Sequence, residues 1–413
     1  MIKNTRHIPS GYKSSPLGII PEDWEVKRIG DFGKVITGNT PPTEDADNYG
    51  NEYKFVSPAD ISGSKYIGST EKHLSEKGFS ISRQMPKGTV LFTCIGSTIG
   101  KCAIANEALT SNQQINAIIC DSKHSGEFLY YELSHRSNRI KQIAGEQAVP
   151  IINKSTFENY KILCPSFEEQ RDIADLLSLW DTAIAKQTAL IEKLILRKRG
   201  LMQQLLTGKK RLKGFEGEWK LIKLGDIAER ITRKNEEDNQ NVVTISAQRG
   251  FVVQTDFFNK SVASETLDNY FLVHKDEFCY NKSYSNGYPM GAIKRLKTFD
   301  KAVVTTLYIC FALKGGATNI DFFEQYCESG IFNKELVKVA NEGGRAHGLL
   351  NVTPSDFFNM HMSVPSINEQ NAIASVLVNA DKEIEIQKQK LSDLQEQKKG
   401  LMQVLLTGKR RVK

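Results

Sequence analysis

Two Gly-containing stretches hold the side chains best suited to polar recognition. The first, CIGSTIGK from Cys94, offers Ser97, Thr98 and Lys101, and shortly afterwards SNQQ supplies Gln113 and Gln114. The second, NKSYSNGYPMGAIKR from Asn281, offers Lys282, Tyr284, Asn286, Tyr288 and Arg295. A carboxamide sets a donor beside an acceptor, as the edge of adenine requires, while hydroxyl, ammonium and guanidinium groups suit phosphate oxygens. Gln147 and the Arg345/His347 pair add candidates at matching places late in the two halves of the chain. Polar loop residues are more often merely solvated, so a binding role is an expectation for the group rather than for any single member.

Catalytic chemistry finds no such support. The chain has no GxxxxGK[ST] phosphate loop, no GxGxxG following a strand and no HExxH helix, and its seven histidines are dispersed. The Asn- or Asp-Pro-Pro-aromatic motif with which amino-methyltransferases hold a flipped base is also missing, since Pro41-Pro42 stands between Thr40 and Thr43. A lone His beside Arg in EGGRAHG, from Glu342, reads as a binding or structural residue. Neither a catalytic residue, a metal site nor a cofactor bound by this chain is expected.

The elements that would position these loops follow from pattern and repetition. A length of 413 residues with 40% hydrophobic and 25% charged residues suits two or three globular bodies, and excludes wholesale disorder. Seven scattered cysteines without a CxxC pair, and a polar N-terminal stretch lacking an apolar core, point to a reduced cytoplasmic protein with no membrane segment. The formal charge of +7 resides in residues 164–213, at +4, and 364–413, at +3, which leaves the remainder neutral. These two basic segments match without a gap at an offset of 200 residues, and 23 of their 50 positions are identical. The densest stretch pairs GLMQQLLTGKKRLK from Gly200 with GLMQVLLTGKRRVK from Gly400. A fainter echo relates WEVKRIGDFGKVIT from Trp24 to WKLIKLGDIAERIT from Trp219.

Each basic segment opens with Pro-Ser, where the serine can cap a helix, and closes with Thr-Gly, where glycine can end one. Between them the apolar residues recur at alternating steps of four and three, the seam of a coiled coil. Ile173, Leu177, Trp180, Ile184, Gln187, Ile191 and Leu194 form the seam of the first copy, and Ile373, Leu377, Ala380, Ile384, Gln387, Leu391 and Leu394 that of the second. Trp180 against Ala380 suggests a large residue filling space beside a small one. A helix of about 40 residues would be roughly 60 Å long, a spacer rather than a core element. Residues 1–163 and 214–363 instead carry short β-like runs, VLFTCIG, INAIIC, NVVTIS, EFCYN and VVTTLYICFAL, with helical stretches from Gly126 and Ile320. The predicted class is α+β: two globular parts, each with a mixed or antiparallel sheet and each followed by its spacer helix, 164–213 and 364–413, in a pseudo-twofold tandem repeat.

This pattern resembles the specificity subunit of Type I restriction-modification systems. The residues that carry the resemblance are IPEDWEVKRIGDF from Ile20, PSFEEQRDIADLLSLWDTAI from Pro165, PSINEQNAIASVLVNADKEI from Pro365 and the two GLMQxLLTGK endings. It implies two target-recognition domains held apart by two long antiparallel coiled-coil helices. It further implies that the chain reads a bipartite, asymmetric site in double-stranded DNA and recruits two copies of a methyltransferase subunit and a restriction subunit. S-adenosylmethionine and ATP would then be bound by those partners. A non-catalytic coiled-coil scaffold joining two protein-binding modules is the alternative that the residues alone leave open.

Overall fold

Short apolar runs flanked by Gly, Asn and Ser favour strands over helices, because they are too brief to complete an amphipathic helix and are rich in β-branched residues. In the computed structural model, which describes residues 8–145, 148–254, 267–316, 318–340 and 350–412, those runs form strands. The chain divides into two compact units, one built from residues 1–188 and 389–413, the other from residues 189–388.

At the centre of the first unit lies a four-stranded antiparallel sheet, ordered Gly33–Thr37, Ile115–Cys120, Val90–Thr93, Cys102–Ile104. The second unit carries a sheet ordered Ala228–Ile231, Ile309–Leu313, Phe278–Asn281, Ala292–Arg295. Numbered along the chain, both have the order first, fourth, second, third, although only the stretch that enters the first strand of each shows a sequence echo. The flanking pieces also correspond: Glu25–Arg28 pairs with Lys161–Cys164 in one unit, and Lys220–Lys223 with His361–Val364 in the other. Pairing among the named strands is antiparallel except where Tyr49–Val56 runs parallel to Thr110–Ser111.

Both basic segments are helical, Phe167–Leu205 and Ile367–Leu405, so each runs through 39 residues as the seam pattern predicts. Of the seam residues, Ile173, Leu177, Gln187, Ile191, Leu194, Ile373, Leu377, Ala380 and Ile384 are buried, and Trp180, Ile184, Gln387, Leu391 and Leu394 are half-buried. Each unit combines the first half of one spacer helix with the second half of the other. In the first unit Lys398 reaches Asp181 at 2.5 Å and Arg411 reaches Glu169. In the second, Lys198 reaches Asp381 and Arg211 reaches Glu369, both at 2.6 Å. Moving toward the N-terminus on one helix segment moves toward the C-terminus on the other, so the pairing inside each unit is antiparallel. Trp180 is therefore level with Lys398 in the first unit and Ala380 with Lys198 in the second, and the expected contact of Trp180 with Ala380 is not the one made.

Leu405 and Leu406 enter the core of the first unit among Trp24, Phe32, Phe128 and Leu177, while Leu205 and Leu206 enter that of the second among Leu224, Phe322, Phe357 and Leu377. Burial of each leucine is worth about 1.5–3 kcal/mol. The GLMQxLLTGK ending is thus a packing motif as much as a helix stop. Gly208 and Gly408 adopt φ of +69° and +67°, the left-handed turn that a non-Gly residue resists.

Candidate functional site

The antiparallel order brings the connections of each sheet to one end. In the first unit Thr37 faces Asn116, Thr93 faces Ile115 and Phe92 faces Cys102. The loops after Thr37, before Ile115 and between Thr93 and Cys102 consequently share that end. In the second unit Asn281 faces Ala292 and Tyr280 faces Ile309, which brings residues 282–291 and 305–308 to the equivalent end. The two stretches singled out by composition, 94–101 and 282–291, therefore occupy the same topological place, the connection between the second and third strands.

Within the first unit the predicted residues come together. Asn112 Nδ2 donates to Gln114 Oε1 at 2.9 Å, and an added Cβ on Gly96 would lie 3.8 Å from Gln114 Nε2, so loops 94–101 and 112–114 touch. Gln113 is exposed and accepts a 2.8 Å bond from Thr40 Oγ1. Ser97 is exposed, Thr98 half-buried, and Lys101 is anchored through Nζ to the Pro58 carbonyl at 2.9 Å. Gly38 lets the next loop approach, since a Cβ there would stand 2.2 Å from Asn112 O and 2.3 Å from Ser111 O.

In the second unit the candidates separate into two groups. Tyr284 is 60% exposed, and Asn286 is exposed with its carbonyl held by Gln248 Nε2 at 3.0 Å. Lys282 is half-buried, and no described residue pairs with its ammonium. Tyr288 instead donates to Glu328 at 2.7 Å and receives Lys294 at 3.1 Å; burial and the nearby Glu328 charge raise its phenol pKa. Arg295 meets three carboxylates, Asp276 at 2.6 Å, Asp321 at 2.7 Å and Glu324 at 3.3 Å. Its charge is neutralised within the unit, as are those of Lys294 by Glu328 and Lys297 by Glu324. These cations line a groove of about 240 Å³ together with Arg249 and Phe251. Gln147, Arg345 and His347 lie outside the described residues.

Sequence reasoning missed Arg83, which is exposed at the same end of the first sheet. Its Nη1 donates to Thr37 O and its backbone N–H to Asn39 Oδ1, both at 2.7 Å. No local pattern marks it, because its partners are more than 40 residues away in sequence.

The opposite end of each sheet connects to a spacer helix. The fourth strand leads to Ser125, whose backbone N–H donates to Gln170 Oε1 at 2.9 Å; in the second unit Asn319 and Gln370 make the same 2.9 Å bond. Deeper in, Asp181 accepts from Tyr131, and Asp381 from Gln325 at 2.7 Å. Among the described residues no His, Cys, Asp or Glu group could hold a metal ion, and no helix is long and apolar enough to cross a membrane.

Two divergent units of one topology, each presenting polar loops at one sheet end and bound at the other to a repeated helix, define a duplicated recognition module. Both copies match the family model described as the Type I restriction modification DNA specificity domain, over residues 21–195 and 216–396, and the chain belongs to that family. The MjaVIII Type I restriction enzyme specificity subunit of Methanocaldococcus jannaschii is 27% identical over 430 residues, covering 95% of this chain and 94% of that one. The MjaIX specificity subunit of the same organism is 36% identical over 194 residues, a match that spans 45% of either chain. The crystal structure of the S subunit of a Type I restriction-modification system from M. genitalium shares the fold, with a TM-score of 0.55 at 18% identity over 92% of this chain and 96% of that one. As a member of a specificity-subunit family, the chain is a non-catalytic targeting component.

Proposed function

We propose that the chain reads a bipartite, asymmetric site in double-stranded DNA, one half-site per unit, and serves as the platform on which two methyltransferase subunits and a restriction subunit assemble. The observation that carries this reading is the shared strand order of two units whose reading loops differ. One topology with two loop chemistries suits two unlike half-sites, while the repeated spacer segments offer the same surface twice to two copies of one partner. The chain itself would bind no cofactor; S-adenosylmethionine and ATP would act on the partner subunits. Because the globular parts are electrically neutral, the isolated chain is expected to bind DNA weakly and the methyltransferase subunits to tighten it.

The test is selection from a random duplex library by the chain assembled with its methyltransferase. Enrichment of two short defined sequences separated by a non-specific gap is expected. Failure to enrich any sequence would sink the reading in favour of a protein-binding scaffold.

A further inference from the structure

Cations of the two units differ in how they are neutralised. In the second unit Arg295, Lys294 and Lys297 are each matched by carboxylates. Arg83 in the first unit is exposed and held only by neutral groups: the Thr37 carbonyl takes Nη1, and the Asn39 amide oxygen takes the backbone N–H. No described carboxylate pairs with its guanidinium, which keeps its full charge. Anchoring one nitrogen to a backbone carbonyl at the end of a sheet strand restricts the side chain before any ligand arrives, the preorganisation that a recognition residue needs.

The groups that hold it are a backbone carbonyl and a carboxamide. Asn39 lies beside it, and the adjoining loop carries Thr40, which bonds Gln113 at 2.8 Å. A phosphate seat gathers positive charge, whereas this surface gathers paired donors and acceptors around one planar fork. With Nη1 anchored, Nε and Nη2 remain as two parallel donors, which match O6 and N7 of guanine.

We propose that Arg83 determines sequence in the half-site read by the first unit by donating its two free N–H groups to the major-groove edge of a guanine. This rests on the DNA-reading function proposed above. The alternative contact for an exposed arginine is a backbone phosphate, which affects affinity without preference among bases.

The experiment is library selection with the complete chain assembled with its methyltransferase, comparing wild type, R83K and R83A. With R83A, discrimination for guanine at a single position of one half-site should fall by about 10- to 100-fold, while the other half-site is unchanged. R83K should regain overall affinity but not that discrimination, because an ammonium cannot form the fork. A uniform loss of affinity with every base preference intact, restored by R83K, would overturn the proposal and assign Arg83 to a phosphate. Intact selection by R83A in both half-sites would overturn it as well. If wild type itself enriches no sequence, the failure belongs to the DNA-reading function; the unchanged second half-site in R83A serves as the internal control for folding.

Discussion

Arg211→Ala should destabilise the second unit more than Arg411→Ala destabilises the first. The two arginines are identical members of the repeat and form bidentate pairs with Glu369 and Glu169. The Glu369 side chain is 2% exposed and depends on Arg211, which reaches Oε1 and Oε2 at 2.6 Å each. Truncating one partner of a buried pair leaves an uncompensated charge and costs about 3–5 kcal/mol. Glu169, at 8% exposure, also accepts a 2.9 Å bond from Trp24 Nε1. That indole survives Arg411→Ala, and a hydrogen bond to a charged group is worth about 1.5–3 kcal/mol, so even with the exposed Asp23 pair that Arg411 also makes, worth up to about 1 kcal/mol, the net loss should be only about 1–3 kcal/mol. Nε1 of Trp219, at the matching position, is buried and has no hydrogen-bond partner among the described residues, so it provides no such support. For a urea m-value of about 3 kcal/mol/M, the midpoint of the second unit should drop by about 1–1.7 M in Arg211→Ala, and that of the first by about 0.3–1 M in Arg411→Ala. Urea titration of the complete chain, followed by pulsed hydrogen exchange on peptides from each unit, separates the two transitions. Equal shifts, or a larger shift for Arg411→Ala, would refute the assignment of the compensating role to Trp24.

Gly38→Ala forces a Cβ against the backbone oxygens of Ser111 and Asn112, and should abolish selection of the first half-site while Gly217→Ala, where a Cβ meets nothing, leaves both intact. Burial pushes the Cys94 and Cys120 thiols up to about 12, so at pH 8 their thiolate fraction is about 10⁻⁴ and alkylation of the native chain should run about a thousandfold slower than in urea; rapid native labelling at either site would contradict the packing. The Arg411 hydrogen bond holds the Asp23 carboxyl below its ordinary range, so the pair's contribution is present above about pH 3.9 and disappears as pH falls through the lower folded value. Wild type and Asp23→Asn should therefore differ slightly in stability at pH 6 and converge in acid; a gap that widens below pH 4 would reverse the sign of this linkage.

The spacer helices were legible because their signal is local: a 39-residue run obeys one period from cap to glycine. Their pairing was not, because aligning two repeat copies places like residues side by side, whereas helices that pair antiparallel bring residue 181 to 398. The sheets showed the reverse. Individual runs such as INAIIC marked strands, but the shared order first, fourth, second, third resides in hydrogen-bond partners tens of residues apart, which no local pattern encodes. The loops chosen on composition, 94–101 and 282–291, lie at one end of their sheets, but composition could not distinguish Lys282, which no described residue pairs, from Arg295, whose charge is matched by Asp276, Asp321 and Glu324. Arg83 escaped for the same reason, since what makes it a candidate is the absence of a described carboxylate partner in space.

The division of the spacer helices between units also imposes an order on synthesis. Residues 189–388 are contiguous, so all of the second unit's parts are available once they have left the ribosome. The first unit is different. Its core includes Leu405 and Leu406, and Glu169 awaits Arg411, so a nascent chain of 388 residues still carries an open apolar wall and a buried-site carboxylate without its cation. The unit begun earlier is completed later, and a ribosome that stalls within residues 389–413 would release a protein whose second unit is whole and whose first is exposed to proteases and aggregation.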